Sequence, residues 1–316
     1  MTSRPMILNR PAGLFLGGAL APAEWMLVLI VLGLALGSVM LAAAMGRVVN
    51  WSGFLPGIVA ALGLTCVGIY ARHTGKAPRL GSCAIGVGLF MGFAAFASIF
   101  IFALFPLPNP LIDQRLIAAD AAFGYDWAGF VTGLAQLPLA GTGLSYVYRS
   151  ALPQMVLVII LLGVLGRERD MQRFLLVGML CMVVTIGIFF VWPSIGPSAY
   201  ATIPDATAAR IDLVFTSAVG NHSRDLVNFG PDVISPETIV GLVAFPSYHI
   251  IMALMVCWFS RRTVVFPLFM LSSLAMIPAT LAHGGHHLMD LMGGVAIFVV
   301  AVWLTARLVP AEGSAP

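Results

Sequence analysis

Eight apolar runs, each close to the length of a membrane crossing, constrain this chain more than any other feature. They cover residues 25–46, 53–71, 81–105, 147–166, 174–193, 239–260, 264–282 and 288–309. A helix needs about 20 predominantly apolar residues to cross a bilayer. The runs are rich in Leu, Val, Ile, Met, Ala and Gly, and charge is confined to their ends, with Arg149 opening the fourth and Asp290 the eighth. Lipid offers no partner for backbone polar groups, so these runs are expected to be helices and not strands. Composition closes off the alternatives. Only 9% of the 316 residues are charged and 60% are hydrophobic, against about 25% charged in a soluble domain. A globule of this size must expose much of its surface to water and cannot hide that much apolar side chain. The expected class is an all-α polytopic membrane protein with about eight transmembrane helices. The net charge of +3 is small and spread over short loops, which gives no reason to invoke nucleic acid.

The basic residues set an expected orientation. Arg4 and Arg10, then Arg72, Lys76 and Arg79, then Arg167, Arg169 and Arg173, then Arg261 and Arg262, and finally Arg307 all fall on one side of the threaded chain. Arg47, Arg115, Arg149, Arg210 and Arg224 fall on the other, in longer loops. The positive-inside rule then places both termini in the cytoplasm, of a cell inner membrane, with the acidic loops outside. Residues 13–21 end in Ala19-Leu20-Ala21, similar to a signal-peptide cleavage site, but the run is short and a surface-lying leader is expected instead. Two outer segments are long. Residues 106–146 are expected to hold an interfacial helix, and 194–238, the most polar stretch, to act as a lid or binding loop. Cys66, Cys83, Cys181 and Cys257 show no paired spacing and read as small packing residues. Gly33, Gly37 and Gly86-x-Gly88-x-x-x-Gly92 read as sites of close helix approach.

Ionisable residues at membrane depth are expensive and point to function. Two motifs concentrate them. Phe245-Pro246-Ser247-Tyr248-His249 sits near the outer end of the sixth run, and His283-Gly284-Gly285-His286-His287-Leu288-Met289-Asp290 joins the seventh to the eighth. His286 and Asp290 are four apart, which on a helix stacks them on one face. A carboxylate so placed fixes the imidazole tautomer and stabilises an imidazolium, leaving the other ring nitrogen to act as a nucleophile. Pro246 suits a first helical turn, which would put Ser247 and His249 among free backbone N–H groups that favour an anion. One His–Asp pair alone is as compatible with a tie between two helices as with chemistry. Both motifs at one membrane face supply an anion cradle, a nucleophile, its orienting carboxylate and a second imidazole to act as acid, which are the parts that move a phosphoryl group.

Pro246-Ser247-Tyr248-His249 followed by His286-x-x-x-Asp290 resembles the second and third motifs of the type 2 phosphatidic acid phosphatase (PAP2) superfamily. Ala279-Thr280-Leu281-Ala282 and His286-His287-Leu288-Met289-Asp290 resemble its inositol phosphorylceramide synthase-like branch. Asp113…Asp120…Gly124-Tyr125-Asp126-Trp127 and Pro193-x-x-Gly196-Pro197 are similar to bacterial members. The resemblance covers residues 81–309 as a six-helix PAP2-like core, with 1–80 a cytoplasmic leader plus two added transmembrane helices and 310–316 a cytoplasmic tail. It implies His286 as a nucleophile forming phosphohistidine, Asp290 orienting it, and His249 protonating the leaving alkoxide and then activating the acceptor. It also implies that Ser247 and nearby N–H groups hold phosphate oxygens, with Tyr248 where the family motif has glycine. No metal or other cofactor is implied.

Besides Tyr248, the chain departs from the family pattern in its cationic phosphate clamp, and Ala279-Thr280 stands where the family has Ser-Arg ahead of the nucleophile. The usual first motif, K-x6-R-P, is missing, and the only lysine, Lys76, lies on the wrong side. Arg149 and Arg224 are the candidates to replace that phosphate clamp, since a guanidinium fork suits phosphate. The expected activity is that of a lipid phosphatase or phosphotransferase. Its substrate would be a lipid phosphate or phosphodiester, and the tilt is towards transfer of a phospho-head group onto a lipid hydroxyl acceptor. Two other readings of the same residues compete: a zinc hydrolase with His283, His286, His287 and Asp290 as ligands and His249 as a further one, and a transporter using the His/Asp cluster as a proton relay.

Overall fold

A computed structural model describes residues 20–238 and 241–309. The tail expected at 310–316 and all but the end of the leader run lie outside them. The chain forms α1 (Pro22–Ala44), α2 (Trp51–His73), α3 (Pro78–Ala103), α4 (Asp113–Ala122), α5 (Trp127–Leu134), α6 (Pro138–Arg149), α7 (Ala151–Val164), α8 (Glu168–Val191), α9 (Asp205–Arg210), α10 (Ser217–Phe229), α11 (Tyr248–Ser260), α12 (Phe266–His283) and α13 (Leu288–Leu308). Among the described residues α1, α2, α3, α8, α12 and α13 are each long and apolar enough to cross a membrane. The protein is an all-α polytopic membrane protein.

Two of the eight expected crossings differ from the sequence reading. The fourth is a pair, α6 and α7, bent by 52° at Ser150. The sixth is short: α11 has only 13 residues and starts at Tyr248, after Pro246 and not around it. The described apolar residues just before it, 241–245, are not helical and pack against other parts of the protein. Leu242 and Ala244 are buried, and the Ala244 N–H bonds the Ser194 carbonyl at 3.0 Å. Non-helical backbone at this depth is tolerated where protein satisfies it.

α11 occupies the centre, packed against α7, α8, α12 and α13. Its inward residues Ile251, Met252, Met255 and Val256 join Met155, Val158, Ile159, Phe174 and Val177 in the main apolar core. On the flank, α2 lies along α3, which also packs on α1, α7 and α8. Small residues permit the α2–α3 approach. A Cβ on Gly88 would stand 2.6 Å from the Ala61 carbonyl oxygen, and one on Gly68 would stand 2.6 Å from that of Gly81. Gly86 instead faces Ile159 and Met171, while Gly33 faces open space. The outward faces of α1 and α2 carry Leu29, Leu32, Leu36, Leu55, Val59 and Leu62, all exposed, as lipid-facing helices do.

The alternating helices put the α1–α2 turn, α4–α6, residues 194–238 and 241–247, the start of α11 and the α12–α13 turn at one end of the bundle. That end is cross-stitched. Val48–Val49 (β1) pairs in parallel with Val233–Ile234 (β2), and the Asn50 N–H bonds the Ile234 carbonyl at 2.9 Å. The expected interfacial helix is three short helices, and the expected lid holds α9, α10 and a single 3-10 turn at Pro197–Ala199. At the opposite end Arg72 of α2 reaches the buried carboxylate of Glu24 on α1 at 2.7 Å, with Glu168 of α8 at 3.7 Å.

Candidate active site

The two sequence motifs meet at the stitched end. The Ser247 N–H donates to the Asp290 carbonyl at 2.9 Å, and Gly294 lets α13 close on this turn, since a Cβ there would stand 2.6 Å from the Ser247 carbonyl oxygen. His286 does not lie on a helix. It sits one residue before His287, the N-cap of α13, and Asp290 reaches back from the first turn. Asp290 Oδ2 accepts from His286 Nδ1 at 3.0 Å and from the His287 backbone N–H at 2.8 Å. Asp290 is fully buried and His286 is 3% exposed. With Nδ1–H committed to the carboxylate, the neutral ring carries its lone pair on Nε2. That nitrogen faces the Ser247 hydroxyl at 3.5 Å.

His249, on the first turn of α11, presents its ring 6.3 Å from that of His286. Its other face stacks on Tyr148, with ring centroids 4.1 Å apart and planes inclined by 18°. The sequence reading missed Tyr148, because contact between α6 and α11 leaves no trace in spacing. The Ser247 hydroxyl does not cap α11, so it remains available beside His286, and the N–H groups of that first turn have no partner within the helix.

The four residues Ser247, His249, His286 and Asp290 are therefore together, and the remaining candidates are not. The Tyr248 side chain turns the other way and its hydroxyl donates to the Gly178 carbonyl at 3.0 Å. Arg149, half exposed, pairs with Asp212 at 3.2 Å. Arg224 donates to the Ala199 carbonyl and lies over the Tyr200 ring at 4.9 Å. His283 reaches the Gly141 carbonyl at 2.9 Å. The rings of His283, His286 and His287 each serve a different partner, and among the described residues no three His, Cys, Asp or Glu side chains converge to hold a metal ion. The competing zinc reading therefore finds no converged ligand set among the described residues.

A second histidine–carboxylate assembly stands behind the first. His287, fully buried, places Nδ1 at 2.7 Å from Asp120 Oδ2 and Nε2 at 3.5 Å from Asp113 Oδ1. Burial lowers its pKa, but the nearby Asp113 carboxylate, the charge of Asp290 and the hydrogen bond with Asp120 outweigh that and raise it above the ordinary value of 6.5. Asp120 Oδ1 also accepts from the Leu288 N–H at 3.0 Å. Asp113 Oδ1 accepts from the Ser194 hydroxyl and from the N–H groups of Ile195 and Gly196 at 2.9, 3.1 and 2.7 Å. Gly196 has a positive φ of 83°, and a Cβ there would stand 2.0 Å from the Gly285 carbonyl oxygen, so only glycine fits.

The acidic–aromatic stretch before α5 grips the same loop. The Tyr125 hydroxyl bonds the carbonyls of Leu281 and His286, both at 3.4 Å, and Trp127 Nε1 donates to Ala282 at 3.3 Å. Burial, and then the charges of Asp120, Asp290 and Asp126, hold the Tyr125 phenol far above its ordinary pKa.

The site is thus a helical membrane bundle whose buried polar residues orient one imidazole beside a second. In comparison with protein families, residues 114–304 match the model of the PAP2 superfamily. The match spans more than half of the chain, and the chain belongs to that superfamily. It is therefore an enzyme, of a phosphatase and phosphotransferase family acting on lipid phosphates in membranes. Searches of curated proteins and of solved structures found no significant match.

Proposed function

We propose that this enzyme takes a phosphoryl or phospho-head group from a lipid phosphate ester onto Nε2 of His286, at the extracytoplasmic face of the inner membrane. It then passes the group to a lipid hydroxyl, as an inositol phosphorylceramide synthase does. The observation that carries the reading is the buried dyad: Asp290 holds Nδ1 at 3.0 Å while Nε2 faces the Ser247 hydroxyl beside His249.

In the first half-reaction Nε2 attacks phosphorus and the bond to the lipid alkoxide breaks. His249 gives that oxygen a proton, and Asp290 stabilises the ring's positive charge. In the second half His249 takes the proton of the acceptor hydroxyl, whose oxygen attacks phosphorus and releases His286. The Ser247 hydroxyl and the first N–H groups of α11 hold the phosphate oxygens. Arg149 leaves Asp212 when substrate binds and swings to the phosphate as the missing cationic contact, since a half-exposed pair is worth only about 0–1 kcal/mol and is readily given up. Transfer is favoured over hydrolysis because the 106–146 and 194–238 segments fold onto the histidine loop through Asp113, Asp120, Tyr125 and Trp127, which limits water there.

The test uses purified protein in detergent with EDTA. Phosphatidic acid and phosphatidylinositol are offered with and without ceramide or diacylglycerol, and phosphate and new phospholipids are read by mass spectrometry. A new phospholipid formed only with the acceptor, and lost in His286→Ala, is expected. Free phosphate released equally without acceptor would mean a phosphatase. Activity lost in EDTA and restored by zinc would overturn the phosphohistidine mechanism.

A further inference from the structure

We propose that His287 is a positioning residue for the reacting histidine, a buried cation between Asp113 and Asp120 that keeps those carboxylates from drawing a proton onto His286. This deepens the function proposed above and rests on it for the identity of the reacting group. Three carboxylates, Asp113, Asp120 and Asp290, are at most 4% exposed in one connected network. Among the described residues His287 is the only basic side chain at hydrogen-bond or ion-pair distance from Asp113 or Asp120. Leaving such charges uncompensated is far more costly than leaving a surface pair broken.

The geometry ties this cation to the dyad in two ways. His287 is adjacent to His286 in the chain, and its backbone N–H bonds the same Asp290 oxygen that holds His286 Nδ1. Its partners also anchor the surroundings: Asp120 caps Leu288, and Asp113 ties down residues 194–196. The other groups facing the network are Tyr125, which senses Asp120 and Asp290, and Tyr200, which senses Asp113 and lies under Arg224. None of these tyrosines supplies positive charge. Without His287, two buried negative charges would favour protonated His286, whose Nε2 is no nucleophile.

The test compares wild type, His287→Gln and the double variant His287→Gln/Asp120→Asn, which restores the net charge of the network. Full-length protein in micelles, labelled with 15N-histidine, reports the ring titration of His286, assigned by its loss in His286→Gln. In His287→Gln the midpoint is expected to rise by about one unit or more. The acid limb of the pH–rate profile on phosphatidic acid should move with it, with kcat at neutral pH down about tenfold and KM little changed. In the double variant the midpoint should return close to the wild-type value. A folded His287→Gln with an unmoved midpoint would overturn the proposal. If that variant does not fold, a double variant whose midpoint stays displaced overturns it and one that returns supports it. The ring titration needs no turnover, so an active-site assignment that fails on every lipid phosphate would leave this result standing on its own.

Discussion

The α1–α2 pair and the α11–α13 unit are both apolar helices of the same bundle, but different forces hold them. α1 and α2 present most of their surface outward and approach α3 through small residues, with the Arg72–Glu24 contact at one end and the two-residue β1–β2 pairing at the other. Lipid is as apolar as their side chains, so close packing and a few polar ties must do the joining. Around α11–α13 the contacts include buried Ser247, His283, His286, His287 and Asp290, each of which needs partners to be tolerable there. The first arrangement tolerates any apolar surface that fits, whereas the second tolerates almost no change, because each polar group is oriented by another. Substitutions in the second region should therefore alter chemistry at near-constant fold, and those in the first should alter stability at near-constant chemistry.

The sharpest contrast comes from the dyad. Asp290→Asn should keep the fold and lower kcat by about 10²–10⁴-fold by presenting the wrong tautomer. His249→Ala should fall by about 10²–10⁴-fold as a lost general acid. Both are measured as turnover of folded protein, and a loss below threefold in either would break the comparison. On the other side, Gly88→Leu has nowhere to place its side chain between α2 and α3. It should cost about 1–3 kcal/mol of stability, read as a lower unfolding temperature, while turnover per folded molecule stays unchanged.

A gentler effect follows from His287. Its folded-state pKa is raised, so its contribution to stability is complete below 6.5 and is lost as pH climbs through the folded-state value. The unfolding temperature of wild type should decline over that window, and His287→Gln should lack that decline. The smallest change is expected for Arg149→Ala. Its exposed pair with Asp212 makes a stability change of no more than about 1 kcal/mol, with a several-fold rise in KM as the signature of phosphate contact.

Much of this was legible in the chain because bilayer physics is read directly by composition. The apolar runs gave α1, α2, α3, α8, α12 and α13 almost to their ends. The failures came where apolar residues face protein and not lipid: Leu242 and Ala244 look like part of a crossing but are non-helical and buried, and hydropathy has no term for that difference. The bend at Ser150 had a signal that the sequence reading passed over: Pro153 has no N–H to give the Arg149 carbonyl and its ring clashes with it. At the site, His286 and Asp290 were legible from their spacing, although the contact forms across a helix start and not along a helix. Tyr148 on His249, and Asp113 and Asp120 on His287, were not, since each joins distant segments through tertiary packing alone. Gly196 was visible as part of a small motif, but the reason for it, a positive φ against Gly285, was not.

The central claim is that His286 itself carries the phosphoryl group. The most direct measurement incubates the purified enzyme with phosphatidic acid, quenches it at alkaline pH to preserve acid-labile phosphoramidates, and maps the modification by mass spectrometry. Phosphate on His286, absent from His286→Ala, is the expected result. Steady turnover with no phosphorylated histidine, or with the label on another residue, would contradict it.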